Sequence, residues 1–79
     1  MKNVPDLKVF PVPFINELVI SGTEKNGEIS IFDVTGREIL KFMAEKGETE
    51  ISTSDFHSGL YLVRYFSGDR SFSRIVLKN

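Results

Sequence analysis

His57, the one histidine of the chain, stands between Asp55 and Ser58, so the letters of an acid–base–nucleophile set fall within one short stretch. A hydroxyl becomes a nucleophile when a base lies within hydrogen-bond reach and a third group orients that base. Working sets of this kind are gathered from distant segments, and neighbours along one turn point away from one another. Phe56-His57-Ser58-Gly59 therefore reads as a solvated turn. Glu48 and Glu50 project from the same face of one strand and could act as paired carboxylates or hold a cation. A hard cation needs several oxygen ligands converging from a loop, and no loop here is rich in Asp or Asn, which leaves a charged outer face. The chain has no cysteine, so a thiolate metal site is excluded. Gly68 has no neighbouring glycine and builds no phosphate cradle. The expectation is a non-catalytic chain with neither metal nor cofactor.

A chain of 79 residues makes one domain, near the lower size at which a single core suffices. Its 10 Lys and Arg face 11 Asp and Glu, a formal net charge of -1, without the basic excess that nucleic-acid binders use. No apolar run approaches the ~20 residues of a membrane-spanning helix. Met1-Lys2-Asn3 is not followed by the apolar stretch of a signal peptide. The chain is then either cytosolic or a piece of a longer one.

The elements that position these residues are strands. Leu7–Phe14 is extended, because Pro11 and Pro13 lack N–H donors and push their predecessors out of helix. It reads as an edge strand that breaks at Pro11, with Leu7, Val9 and Phe14 able to plug into a core. Ile15-Asn16 turns the chain. Glu17–Ser21 alternates with Leu18 and Ile20 inward, and a polar loop runs from Ser21 to Gly27. Glu28–Val34 alternates again, Ile29 and Ile31 on one face, Ser30 and Phe32 on the other. Asp33-Val34-Thr35-Gly36-Arg37 is a tight turn: Gly36 takes positive φ without a steric cost, and the Asp33 carboxylate can accept from the following backbone N–H groups.

Glu38–Lys46 is rich in helix formers, with Ile39, Phe42 and Met43 at helical spacing. A strand leaving a tight turn pairs at once, so the strand reading is preferred over the helix. Gly47 ends that element, and Glu48–Ser52 alternates with Thr49 and Ile51 inward. Ser52–Asp55 is turn-prone, and Phe56 caps one end of the core. From Ser58 to Asn79 the chain makes a long hairpin broken at Ser67-Gly68-Asp69. Tyr61, Val63 and Tyr65 share one face of its first strand and Leu60 and Leu62 the other, which suggests a central strand covered on both sides. Most of the aromatic residues are expected to pack, with Phe32, Tyr65 or Phe66 the first to be exposed. About seven short strands at regular spacing indicate an all-β, antiparallel β-sandwich.

Four stretches in this order, FPVPF at 10–14, ISIFDVTGREIL at 29–40, STSDFHSGLYLVRY at 52–65 and SRIVLKN at 73–79, resemble the type A C-terminal sorting domain of the type IX (Por) secretion system of Bacteroidetes. The resemblance runs from about Val9 to Asn79, with residues 1–8 as a linker or start of the domain and 9–79 as a single unit. It implies a small Ig-like sandwich behind an upstream cargo. That cargo passes through the periplasm and then, by an outer-membrane translocon or shuttle, to the cell surface or beyond. A sortase-type protease commonly removes the domain. Asp33, Gly36 and Arg37 match the family's aspartate-x-x-glycine-arginine turn, and Gly59, Tyr61 and Val63 its glycine-x-tyrosine-x-valine strand. Arg64 stands at a usually basic position and Lys78 matches the basic terminus. Val12 departs from the asparagine frequent between the two prolines, and His57 from a small residue or proline.

Gly36 and Gly59 are needed by backbone geometry in any such fold. Tyr61 is expected to pack inward with its hydroxyl on nearby backbone, as in a tyrosine corner. Arg37, Arg64, Arg74 and Lys78 are the candidates for contact with the secretion machinery. The terminal strand, Ser71–Asn79, is the expected docking edge, its backbone groups and cations read together. An exposed edge also leaves room for a homo-oligomer. Two other classes stay open: an Ig-like module binding carbohydrate or protein, and a free-standing adhesion or assembly subunit.

Overall fold

The computed structural model describes residues 7–79 and the backbone of residues 2–3. Among the described residues every regular element is a strand: β1 (Lys2–Asn3), β2 (Lys8–Phe10), β3 (Glu17–Thr23), β4 (Glu28–Asp33), β5 (Glu38–Met43), β6 (Gly47–Ser52), β7 (Gly59–Ser67) and β8 (Arg70–Lys78). They form a five-stranded sheet in the order β1-β8-β7-β4-β5 and a three-stranded sheet in the order β2-β3-β6. All pairs are antiparallel except β1 with β8, which run parallel over Lys2↔Arg70 and Asn3↔Ser71. Of the stretch 1–8 read as a linker or start of the domain, residues 1 and 4–6 lie outside the described residues, Leu7 is in the core and Lys8 opens β2.

Period-two alternation builds the core between the sheets. Leu18 and Ile20 of β3, Ile29 and Ile31 of β4, and Val63 of β7 are fully buried, joined by Val9, Phe14, Ile51, Tyr61 and Val76. Each such side chain contributes on the order of 1.5–3 kcal/mol by leaving water. Phe14 meets Phe56 edge-on at 6.3 Å and Tyr61 at 6.1 Å, and Phe56 lies 5.1 Å from Tyr61, so Phe56 does close one end of the core.

Several local readings change. The segment at 38–46 is a strand to Met43, after which Ala44 docks into the core with its N–H on the Gly27 carbonyl at 2.7 Å. Leu40 and Phe42 face inward opposite Ile31 and Ile29, and a register shift after Ile31 lets Ile39 reach the core as well. β3 runs on to Thr23, beyond the expected end at Ser21, because Gly22 at φ 93° takes up an irregularity in the ladder with β6. Tyr65 is not exposed but wholly buried, since it shares parity with Tyr61 and Val63. Its hydroxyl accepts from the Glu24 N–H at 2.9 Å, and its ring lies where a Cβ on Gly27 would stand 2.6 Å from Cε1. The expectation of cover on both sides of β7 also fails. β7 is central in its sheet, but the face carrying Leu60 and Leu62 looks away from the core, and Leu60 is 48% exposed.

Candidate functional site

The Asp33 turn is held by its own side chain. Asp33 Oδ1 accepts from the Thr35 N–H at 2.9 Å, the Thr35 hydroxyl at 2.6 Å and the Arg37 N–H at 3.1 Å. Backbone bonds close the same turn, Gly36 N–H to Asp33 O at 3.0 Å and Asp33 N–H to Arg37 O at 3.0 Å, with Gly36 at φ 89°. The Thr35 hydroxyl, the largest cause, together with the backbone N–H groups and the Arg37 charge outweighs desolvation and holds the Asp33 carboxyl below its ordinary value. Arg37 Nε lies 3.3 Å from Asp33 Oδ2, with most of its side chain in solvent.

Asp33 pairs with Tyr61 across β4 and β7, so the turn and the second motif share one end of the molecule. Gly59 at φ 140° opens β7 in a conformation that L residues rarely adopt, although the space around it is free. Two residues on, the Tyr61 hydroxyl donates to the His57 carbonyl at 2.5 Å while its ring packs on Phe56 and Phe14. The loop carrying Asp55, His57 and Ser58 is thus pinned through backbone, and these three side chains are exposed. Val63 is buried in the core. Val34 and Leu60 stand between two hollows of about 500 and 400 Å³, one against the outer sheet face and one against the 55–59 loop.

The four candidate cations separate into two kinds. Arg37 and Arg74 are exposed, and Arg64 is half-buried on the outer face, its guanidinium 4.9 Å from the Phe66 ring and 5.9 Å from Phe32. Lys78 is a correction. It is 6% exposed, so it displays no charge. Its Nζ donates to the carbonyls of Ile15 and, at 3.0 Å, of Thr53, and lies 5.8 Å from the Phe14 ring. Its alternation with buried Val76 turns it inward, and backbone carbonyls of the segments beside β3 and β6 meet it there.

The expected open terminal edge is corrected with it. β1 covers Arg70 and Ser71. At the other end Phe14 lies alongside Lys78, its N–H on Leu77 O at 2.9 Å and its carbonyl accepting from Asn79 N–H at 3.0 Å. A strand engaged at both ends is a poor template for a receptor strand.

On the small sheet, Glu48 and Glu50 do share an outer face, and β3 adds Glu17 close by. Repulsion from Glu17, with a hydrogen bond to it, then desolvation and Glu48, raises the Glu50 carboxyl above its ordinary value. Among the described residues no group of His, Cys, Asp and Glu is placed to hold a metal ion. Sequence reasoning places Thr49 inward without its bonds, and misses the buried Thr23 and Thr53. Thr23 donates to Glu45 O at 2.5 Å, and Thr49 accepts from Glu45 N–H at 2.9 Å, fixing the 44–46 loop to β3 and β6. Thr53, fully buried, donates to Ile15 O at 3.2 Å. A threonine at an inward position of a strand, or just past its end, was the available signal.

A family model described as the secretion system C-terminal sorting domain matches residues 8–79. The fold is similar to part of PorZ, an essential bacterial surface component of the type-IX secretion system of Porphyromonas gingivalis. The TM-score is 0.74 at 20% sequence identity, over 95% of this chain and 12% of that one. No curated protein matches the chain.

Proposed function

This chain belongs to the family of secretion system C-terminal sorting domains, and from that premise we propose that it is read as a folded label by the outer-membrane translocon or shuttle of the type IX system. Domains of this family are the C-terminal sorting signals of that system and are non-catalytic in general. They direct export to the cell surface or release from the cell. In the finer reading proposed for this chain, residues 9–79 act as one unit behind an upstream cargo. The cargo crosses the periplasm before the domain is engaged, and a sortase-type protease is the partner proposed after transport. Arg37, Arg64 and Arg74 are the contacts proposed for the machinery.

The observation that supports this most is how the motif residues are employed. Asp33, Gly36, Gly59 and Tyr61 all hold one end of a sandwich in which, among the described residues, every buried side-chain polar atom has a hydrogen-bond partner. Such a body carries a surface of fixed shape, which a receptor can read without unfolding it. The test places a reporter enzyme with a secretory leader in front of the full chain in a type IX-competent bacterium. Reporter activity on intact cells or in the medium is the expected result, and retention inside the envelope overturns the reading.

A further inference from the structure

The outer face of the large sheet carries apolar cross-strand pairs with nothing over them among the described residues. Leu60 stands beside Leu77, and Leu62 is flanked by Ile75 on β8 and Phe32 on β4. Their sequence neighbours Tyr61, Val63 and Val76 point into the core. The open face of an antiparallel sheet is ordinarily polar, yet Ile75 is 64% and Val34 75% exposed. Further along, the same face is mixed: Ser30, Lys41 and Ser73 are followed by Glu28 between Met43 and Phe66. The adjoining apolar cross-strand pairs lie at the end beside the Asp33 turn, around one of the two hollows. Contiguous exposed apolar surface of this kind marks a contact site.

Arg64 sits at the border between the two halves. The rings of Phe66 and Phe32 hold its guanidinium from the sides, and none of the ion pairs among the described residues includes it. A guanidinium oriented in this way offers its donor fork to a planar anion, and a carboxylate matches it bidentately. Because the two ring faces are engaged by Arg64, they are not free as a platform for a sugar. Two copies set face to face about a two-fold axis running along the strands of this patch bring Arg64 toward Arg64, which like charges oppose.

Resting on the sorting reading, we infer that the domain is read at this face by a protein surface that sets apolar side chains on Leu60, Leu62 and Ile75 and a carboxylate on Arg64. The terminal strand then contributes Ile75 through its outer side, and its edge is not used. Specificity comes from the charge, since an apolar partner lacking the carboxylate leaves the cation uncompensated at a drying interface.

The test compares the reporter fusion of the full chain with variants on each outer face. Leu60→Thr with Ile75→Thr keeps strand preference and removes the aliphatic patch; Arg64→Glu reverses the charge and Arg64→Lys keeps it without the fork. Glu48→Gln and Lys8→Gln, on or beside the small sheet, are controls. Tenfold or greater loss of displayed reporter is expected for the Thr pair and for Arg64→Glu, a smaller loss for Arg64→Lys, and none for the controls. Thermal melting of each purified chain should stay near that of the parent. Should the Thr pair melt lower, a photo-crosslinking residue at Ile75 replaces it: it should capture one discrete envelope protein, and Arg64→Glu should abolish that capture. Full display of both outer-face variants, with the parent displayed, overturns the inference. Failure to display the parent overturns the sorting reading instead. A dimer of the parent chain that dissociates on Ile75→Thr assigns the face to a second copy. Sedimentation with anionic phosphatidylglycerol vesicles, lost in Arg64→Glu, assigns it to lipid. Either result overturns a protein partner.

Discussion

Replacing Lys78 by methionine separates a cation that is shown to the outside from one that fastens the fold. Methionine keeps most of the apolar stem and removes only the ammonium. The two carbonyls it leaves are not orphaned, because Ile15 O still accepts from the Thr53 hydroxyl and Thr53 O from the Phe56 N–H at 3.0 Å. What is lost is two charge-assisted hydrogen bonds, each worth roughly 1.5–3 kcal/mol, and a contact with the Phe14 ring. Against that stands the desolvation of a buried ammonium, several kcal/mol, which the substitution relieves. The balance is a destabilisation of about 1–3 kcal/mol. For a domain of this size about 1 kcal/mol moves Tm by roughly 4–8 °C, so thermal unfolding followed by circular dichroism should show a drop well outside error. Arg74→Met, at an exposed position, should stay within about 0.5 kcal/mol of the parent. Equal Tm values for Lys78→Met and the parent would refute the reasoning that this ammonium is a net fastening of the fold. The same logic bears on truncation: removing the last residues disables this fastening, so loss of export after such a deletion does not by itself locate a receptor contact.

Gly36→Val should cost on the order of 1–3 kcal/mol through strain at positive φ, there being open space for the side chain, and Gly36→Asn should recover much of it; equal melting temperatures for all three would show that φ is not the constraint. At the acidic face, Glu50→Gln should raise Tm at neutral pH, because the folded-state carboxyl is raised by Glu17 and Glu48. A carboxyl raised on folding loses stability as pH rises through its folded value, so the gain should fade as pH falls below the ordinary glutamate range. Asp33 has the opposite sign: its lowered carboxyl supports the fold above the ordinary aspartate range, and that support fades as pH falls through the folded value.

Where alternation met a turn with its own chemistry, the sequence was a sufficient guide. Ile29 and Ile31, Thr49 and Ile51, and Tyr61 and Val63 take the inward faces that period two assigns, and the Asp33 turn forms with the expected acceptor. Tyr61 reaches backbone near the start of its strand for the same local reason. What sequence patterns do not carry is which layer covers a face. Leu60 and Leu62 read as buried because they are apolar, yet a three-stranded sheet lies on one side of β7 only. Tyr65 was misjudged by residue type although its parity with Val63 already placed it inside. Lys78 escaped because a lysine close to a chain terminus reads as solvated; the carbonyls that receive it belong to Ile15 and Thr53, far away in sequence. Gly22 likewise punctuates a strand instead of ending it, which only the register with β6 reveals.

The junction of Phe14 with the tail of β8 has a consequence for how the molecule comes into being. During synthesis β8 emerges after every other described strand, and both the flank of β7 and the backbone of Phe14 wait for it. Until then the nascent chain exposes unpaired amides along its most apolar strand, the condition in which chains stick to one another. Closure of the large sheet on this flank, and of the Phe14 junction, therefore waits for the last described strand to emerge.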